Sequence, residues 1–160
     1  MKLLFIKPDN EQIKKYYQKY VNYYLYENYI SLFTVNDIII MPGETKIIDF
    51  GIQCEMNDLS NFPPSYKPRS NNCSYFLYPN LNKFEYISLI SNNDIIDSSY
   101  RDNIKITMKY YPNYHILNDN LLKFGIESLP EIKIERGSKI AKIYAPDLSK
   151  IQVEIVNQLS

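Results

Sequence analysis

From Ile38 to Ile155 the chain is cut into short apolar runs with a period of two, and no other feature constrains its fold as strongly. Successive side chains of a strand point to opposite faces, so such alternation marks a half-buried strand. Ile48, Phe50, Ile52, Cys54 and Met56 fall on one face and Asp49, Gln53 and Glu55 on the other, which predicts a single strand through Gly51. Ile104, Ile106, Met108 and Tyr110 alternate with Asn103, Lys105, Thr107 and Lys109 in the same way. Shorter runs are Ile38–Ile40, Tyr75–Tyr78 before Pro79, Ile132 with Ile134, Lys139–Tyr144, and Ile151, Val153 and Ile155. Turn signals separate them. Pro42-Gly43 suits the central positions of a type II turn, whose second residue needs positive φ, and Arg136-Gly137 marks another turn. Many short strands with regular turns predict an all-β sandwich or barrel.

One helix is expected beside these strands. Residues 2–7 read as a strand, and Asp9 or Asn10 can cap a helix with Glu11 and Gln12 in its first turn. Ile13, Tyr16, Tyr17, Tyr20 and Tyr24 then recur at helical spacing within a Tyr-rich segment, 8–26. Interleaved Tyr and Lys can stack on single-stranded nucleic acid. The packing period of the tyrosines, with eighteen basic and eighteen acidic residues cancelling, favours a helix packed on the sheet. Residues 57–73, with Pro63, Pro64 and Pro68, read as a surface loop. Residues 111–130 are irregular, with a short helix near Leu121–Phe124 ended by Gly125. At 160 residues the chain is expected to form one domain, 1–160.

Several function classes are disfavoured. A neutral chain offers no electrostatic case for broad nucleic-acid or membrane binding. The four glycines, Gly43, Gly51, Gly125 and Gly137, are too scattered for a Gly-rich phosphate loop. Cys54 and Cys73 lack metal-ligand spacing; Cys54 reads as a buried thiol, and a disulfide stays open. His115 is the single histidine and has no acidic neighbour to complete a catalytic unit. The apolar run Leu3–Ile6 is too short for a signal-peptide core, and no segment reaches membrane-span length, so an intracellular protein is expected.

Four blocks, in order, resemble the dUTPase family, especially versions encoded by large DNA viruses. They are Pro42-Gly43-Glu44 with Ile48-Asp49-Phe50-Gly51-Ile52; Tyr75-Phe76-Leu77-Tyr78-Pro79; Ile95-Ile96-Asp97-Ser98-Ser99-Tyr100-Arg101; and Gly137-Ser138-Lys139-Ile140-Ala141-Lys142, followed by Ala145-Pro146-Asp147-Leu148. The resemblance implies a distorted jelly-roll β-barrel, here with an added N-terminal helix and with loop insertions at 57–73 and 111–130. It also implies a homotrimer with sites shared between subunits and hydrolysis of dUTP to dUMP and diphosphate. Mg²⁺ would be held by the triphosphate. In that family Asp97 would be the base for the attacking water and Tyr100 the aromatic on the deoxyribose. Lys142 would stand at a phosphate-contacting position, and Arg101 and Gly137 would be structural. A viral source would place the protein in the host cytoplasm or the virion.

The chain departs from the family at the residues the chemistry needs. Glycines flanking the third motif are Asp94 and Asp102. The family's Pro-Arg-Ser-Ser reads Pro79-Asn80-Leu81-Asn82, and leucine cannot donate to a phosphate. The first motif, Ser-Gly-Phe-Asp-Leu-Phe in viral forms, reads Asn28-Tyr29-Ile30-Ser31-Leu32-Phe33, without its carboxylate. Lys142 replaces a glutamine, and no glycine follows Gly137 to form the C-terminal arm. The expectation is a scaffold without dUTPase chemistry and without a cofactor, acting through contacts with itself or another protein. Two alternatives stay open. One is a surviving hydrolase using Mg²⁺, with Asp97 as base, Tyr100 as sugar gate and Lys142 or Arg69 on phosphate; the other is a nucleotide-binding sensor.

Overall fold

A computed structural model describes residues 1–21, 28–59, 71–80, 88–89, 95–111 and 130–160. The chain forms β1 (Lys2–Pro8), α1 (Glu11–Val21), β2 (Tyr29–Phe33), β3 (Ile38–Ile40), β4 (Thr45–Asp49) and β5 (Ile52–Asp58). Then follow β6 (Tyr75–Pro79), β7 (Ser88–Leu89), β8 (Ile95–Ile96), β9 (Lys105–Lys109), β10 (Ile132–Ile134), β11 (Lys139–Tyr144) and β12 (Ile151–Ile155). They pair as β12-β1-β5, β2-β11-β6-β8, β4-β9-β7 and β10-β3; the all-β character follows the alternation, the jelly-roll arrangement follows the resemblance, and one short helix stands beside it among the described residues. Only β1 and β12 run parallel among the described pairs; Leu4 lies opposite Val153.

Period-two patterning sets which faces meet. Leu4 and Ile6 of β1, Ile30 and Leu32 of β2, Ile52, Cys54 and Met56 of β5, Tyr75 and Leu77 of β6, Ile106 and Met108 of β9, and Ile143 of β11 are buried in one core. Slipping any of these strands by one residue would turn its apolar set to water, so burial fixes register.

The predicted continuous strand through Gly51 is not formed. Ile48, Phe50, Ile52, Cys54 and Met56 are all buried as expected, but the chain turns a corner at Phe50-Gly51 and changes sheets. Gly51 has φ 64°, and its N–H donates to Asp49 Oδ1 at 2.7 Å, a local turn that competes with the ladder. A Cβ there would stand 2.5 Å from Ile13 Cδ1, so glycine is also required by the approach of the helix. Glu55, expected on the exposed face, is buried. The Pro42-Gly43 turn forms as predicted: Gly43 has φ 79° and Glu44 N–H donates to Met41 O at 3.0 Å.

The helix starts where its capping residues predict. Asn10 Oδ1 accepts from Ile13 N–H at 3.0 Å, making Asn10 the N-cap. Ile13, Tyr17 and Tyr20 are buried and Tyr16 packs partly on the core, so the tyrosine stripe is a packing face; Tyr24 lies outside the described residues. Tyr16 stacks on Phe33 at 5.2 Å between centroids, and Tyr17 meets the same ring edge-on at 5.6 Å. Of the expected 57–73 loop, residues 57–59 and 71–73 are described and return together, with Cys73 N–H donating to Met56 O at 2.8 Å. Arg69, His115, the Leu121–Phe124 helix, Gly125, and most of 111–130 lie outside the described residues. Cys54 and Cys73 are free thiols, and burial pushes the Cys54 thiol well up. No helix among the described residues is long and apolar enough to cross a membrane.

Candidate functional site

The third block forms a tight turn after β8. Tyr100 N–H donates to Asp97 O at 3.0 Å. The Asp97 carboxylate takes both the Ser99 hydroxyl at 2.6 Å and the Ser99 N–H at 2.8 Å, and these hydrogen bonds hold its pKa below the ordinary value. Asp97 is fully exposed, so the carboxylate is ionised and already engaged within its own turn. Asp94 lies outside the described residues.

Tyr100 is half-buried against the core and donates its hydroxyl to Asn103 O at 2.9 Å. Burial, then Asp102 and Asp49, raise its pKa. The amide of Asn103 continues the chain of contacts, donating to Asp9 Oδ2 at 2.9 Å and Asp49 Oδ1 at 3.1 Å. Arg101 holds the turn from behind: its guanidinium donates to Ser98 O at 2.8 Å, Tyr100 O at 3.0 Å and Ser160 O at 3.2 Å. It also pairs with the buried Glu55 carboxylate at 3.3 Å, which in turn takes Ser160 N–H and Oγ–H. Sequence reasoning missed Glu55 and Asn103. The alternation put Glu55 outward, and nothing local signals a partner so far along the chain.

Lys142 sits elsewhere. On β11 it lies opposite Ser31 of β2 and Tyr78 of β6, so these side chains share the outward face of the sheet. That face carries Tyr29 and Ser31 from β2, Lys142 and Tyr144 from β11, Phe76 and Tyr78 from β6, and Ile95 from β8, while Phe33 at the end of β2 is covered by α1. The Lys142 ammonium stands 4.0 Å from the Tyr29 ring centroid. Tyr144 packs on Tyr29 at 5.6 Å and on Tyr78 at 6.4 Å. Tyr78 and Ile95 are each 60% exposed.

Register separates the two parts. Asp97 follows Ile96, which lies opposite Tyr75, while Lys142 lies opposite Tyr78 two strands away from β8. Two strand spacings across and about four residues along place their backbones roughly 16 Å apart. One chain therefore does not bring Asp97 and Lys142 to one phosphate. Gly137, with φ 81°, is held by Thr34 O, which accepts its N–H at 2.8 Å, and it lies against the Tyr16 ring.

Mg²⁺ takes oxygen ligands and in nucleotide sites is shared between carboxylate, water and phosphate. The described outward face has no carboxylate, Ser31 being 4% exposed where the first motif would carry its acid, and no group of three metal-ligating side chains occurs among the described residues. The residues on this face would not hold Mg²⁺ by themselves; it would come with a bound triphosphate.

No family profile matches the chain. It is similar to the deoxyuridine 5'-triphosphate nucleotidohydrolase of Clostridium acetobutylicum, 28% identical over 135 residues covering 82% of this chain and 72% of that protein. The enzyme of the same name from Clostridioides difficile is 26% identical over 131 residues, 82% and 73% of the two chains. Among solved structures, a dUTPase of Staphylococcus bacteriophage 80alpha shares the fold, with a TM-score of 0.52, 13% identity and 88% and 87% coverage.

Proposed function

The chain is a divergent dUTPase-family protein, and from that premise we propose that it is a non-catalytic member acting as a structural or protein-interaction module. The observation that carries this reading is the outward face of β2-β11-β6-β8. Where the family's first motif has a carboxylate, this face has buried Ser31, and beside it Lys142 lies on the Tyr29 ring with Tyr144 and Tyr78 around it. Hydrolysis of a triphosphate needs a metal and fixed donors along the phosphates as well as a base, and a lone Asp97 supplies neither. Fold outlives chemistry, so a barrel that keeps its core can serve another role.

The exposed Tyr78 and Ile95 suit protein contact, because aromatic side chains bury much area at interfaces. The partner is a further copy, as in a homotrimer, or another protein. Asp97, Tyr100 and Lys142 are then vestiges of a nucleotide site, with Arg101 and Gly137 retained for the turns they hold.

A second reading, an active dUTP diphosphatase, draws support from the named activity of the relatives. It requires Asp97 of one copy to meet phosphate contacts of another. Incubation of the purified protein with dUTP and Mg²⁺, with dUMP measured, separates the two. We expect no product above the blank; enzyme-like turnover abolished by Asp97→Asn would establish the hydrolase instead. If there is no turnover, a saturable thermal shift with dUTP would identify a nucleotide-binding sensor.

A further inference from the structure

We infer that Lys19, Lys139 and Arg136, gathered around the stacked rings of Tyr16 and Phe33, form a binding site for a small anion bearing a di- or triphosphate group. The site lies where α1 crosses the end of β2 and the β10–β11 turn, away from Asp97. Lys19 Nζ stands 4.5 Å from the Phe33 centroid and 5.2 Å from that of Tyr20. Lys139 Nζ stands 6.0 Å from the same Phe33 centroid. Arg136 Nε donates to the Tyr16 hydroxyl at 3.2 Å, and Tyr16 lies nearly parallel to Phe33. Three cations thus converge on one pair of rings, contributed by two segments far apart in sequence.

None of the three forms an ion pair among the described residues, although Lys14 on the same helix pairs with Glu11 at 3.3 Å. Asp37 places its carboxylate at the Arg136 end of the cluster, accepting the Arg136 backbone N–H at 2.8 Å, but neither it nor the exposed Glu135 forms an ion pair with the three side chains among the described residues. Burial against the rings, followed by repulsion from Lys139, lowers the Lys19 pKa. The aromatic faces offset part of that cost, but like charges held together remain unfavourable until an anion joins them. A multivalent oxyanion relieves both the repulsion and the lost hydration.

The frame is preorganised. Phe33 is 3% exposed, its N–H donates to Tyr17 Oη at 3.4 Å, and Gly137 lies against Tyr16 with nothing between. The rings on which the cations lie are therefore in place before an anion binds. All three side-chain residues are exposed, so the anion has access. The chain's zero net charge argues for a small ligand over a nucleic-acid strand, which needs a wider basic surface. The inference is independent of the proposed function, since a protein that never turns over dUTP can still hold this anion.

The test is calorimetric titration of the intact protein with inorganic diphosphate at low ionic strength. We expect saturable one-site binding. Lys19→Gln and Lys139→Gln should each weaken it about tenfold, as loss of one charge-assisted contact does. Tyr16→Phe, which keeps the stack but frees Arg136, should weaken it less. Lys46→Gln, a change of equal charge on β4, should leave it unchanged, and circular dichroism confirms that each variant is folded. Absence of saturation, or an equal loss in Lys46→Gln, overturns the site. Tighter binding of a single-stranded oligonucleotide, lost in the same Lys variants, overturns the small-anion assignment.

Discussion

Replacing Arg101 with alanine tests whether the turn that carries Asp97 and Tyr100 is held by one guanidinium. Arg101 supplies hydrogen bonds to Ser98 O, Tyr100 O and Ser160 O and an ion pair to Glu55. The Glu55 side chain is 4% exposed, so truncation leaves a buried carboxylate short of its cation. Breaking a buried pair on one side costs about 3–5 kcal/mol. Two features reduce this figure here: the Arg101 side chain is 29% exposed, and Glu55 keeps the Ser160 N–H and hydroxyl. A loss of roughly 2–3 kcal/mol follows. In urea, with a slope of about 2 kcal/mol/M, the midpoint should fall by about 1–1.5 M, and Tm by roughly 5–10 °C. Arg101→Lys should lose about half as much, because an ammonium cannot reach all four acceptors. The readout is urea denaturation followed by circular dichroism and tyrosine fluorescence together. A loss under about 0.5 kcal/mol for Arg101→Ala would show that the pair is solvated, and the assignment of Arg101 as the clamp on this turn would be wrong.

Other perturbations follow from the same contacts. The Tyr75 hydroxyl is buried without a hydrogen-bond partner among the described residues, so Tyr75→Phe should leave stability unchanged or raise it by up to about 1 kcal/mol; a comparable loss in denaturation would reveal a hidden partner. Gly51→Ala should cost about 2–3 kcal/mol from positive φ and the contact with Ile13, and a cycle with Ile13→Val, which removes the offending methyl, should recover part of it; strict additivity would show that only the backbone matters. Lys2 is buried, and although burial alone would lower its pKa, Asp58 at 2.8 Å and Asp147 at 3.0 Å raise it above 10.5. Its contribution is therefore full below the unfolded value and is lost as pH rises through the higher folded value. The stability gap between the parent and Lys2→Met should shrink on titration into that alkaline range; a constant gap would refute the pairing.

The fold was legible where period and burial coincide. Ile104, Ile106 and Met108, or Ile151 and Val153, alternate because one face of each strand meets the core, and each strand is found where the alternation puts it. The break at Gly51 was not legible, because Phe50 and Ile52 keep the same parity across the corner. A strand that changes sheets without changing its buried face leaves no mark on a period-two pattern. Ser88–Leu89 escaped because two residues carry no period. The Asn10 cap and the Tyr16, Tyr17 and Tyr20 stripe were legible, since capping and helical spacing are local.

The candidate site was legible as motifs and illegible as geometry. Asp97, Tyr100 and Arg101 sit within one short turn, so local sequence suffices to find them. Ser31, Lys142 and Tyr78 are neighbours through register, and register is set by core residues such as Ile30, Leu77 and Ile143 that point the other way. The core therefore preserves which outward positions lie side by side while leaving their chemistry free to change. Here that outward face has Ser31 in place of the carboxylate and surrounds Lys142 with tyrosines, although the apolar parity beneath it is kept. Lys19, Lys139 and Arg136 follow the same logic from the other end of β2: buried Phe33 brings together a helix and a turn that share no local pattern. Residues that set register can thus stay apolar while the side chains they bring together on the outer face vary, so the chemistry of this site is to be sought on the outward positions that register juxtaposes.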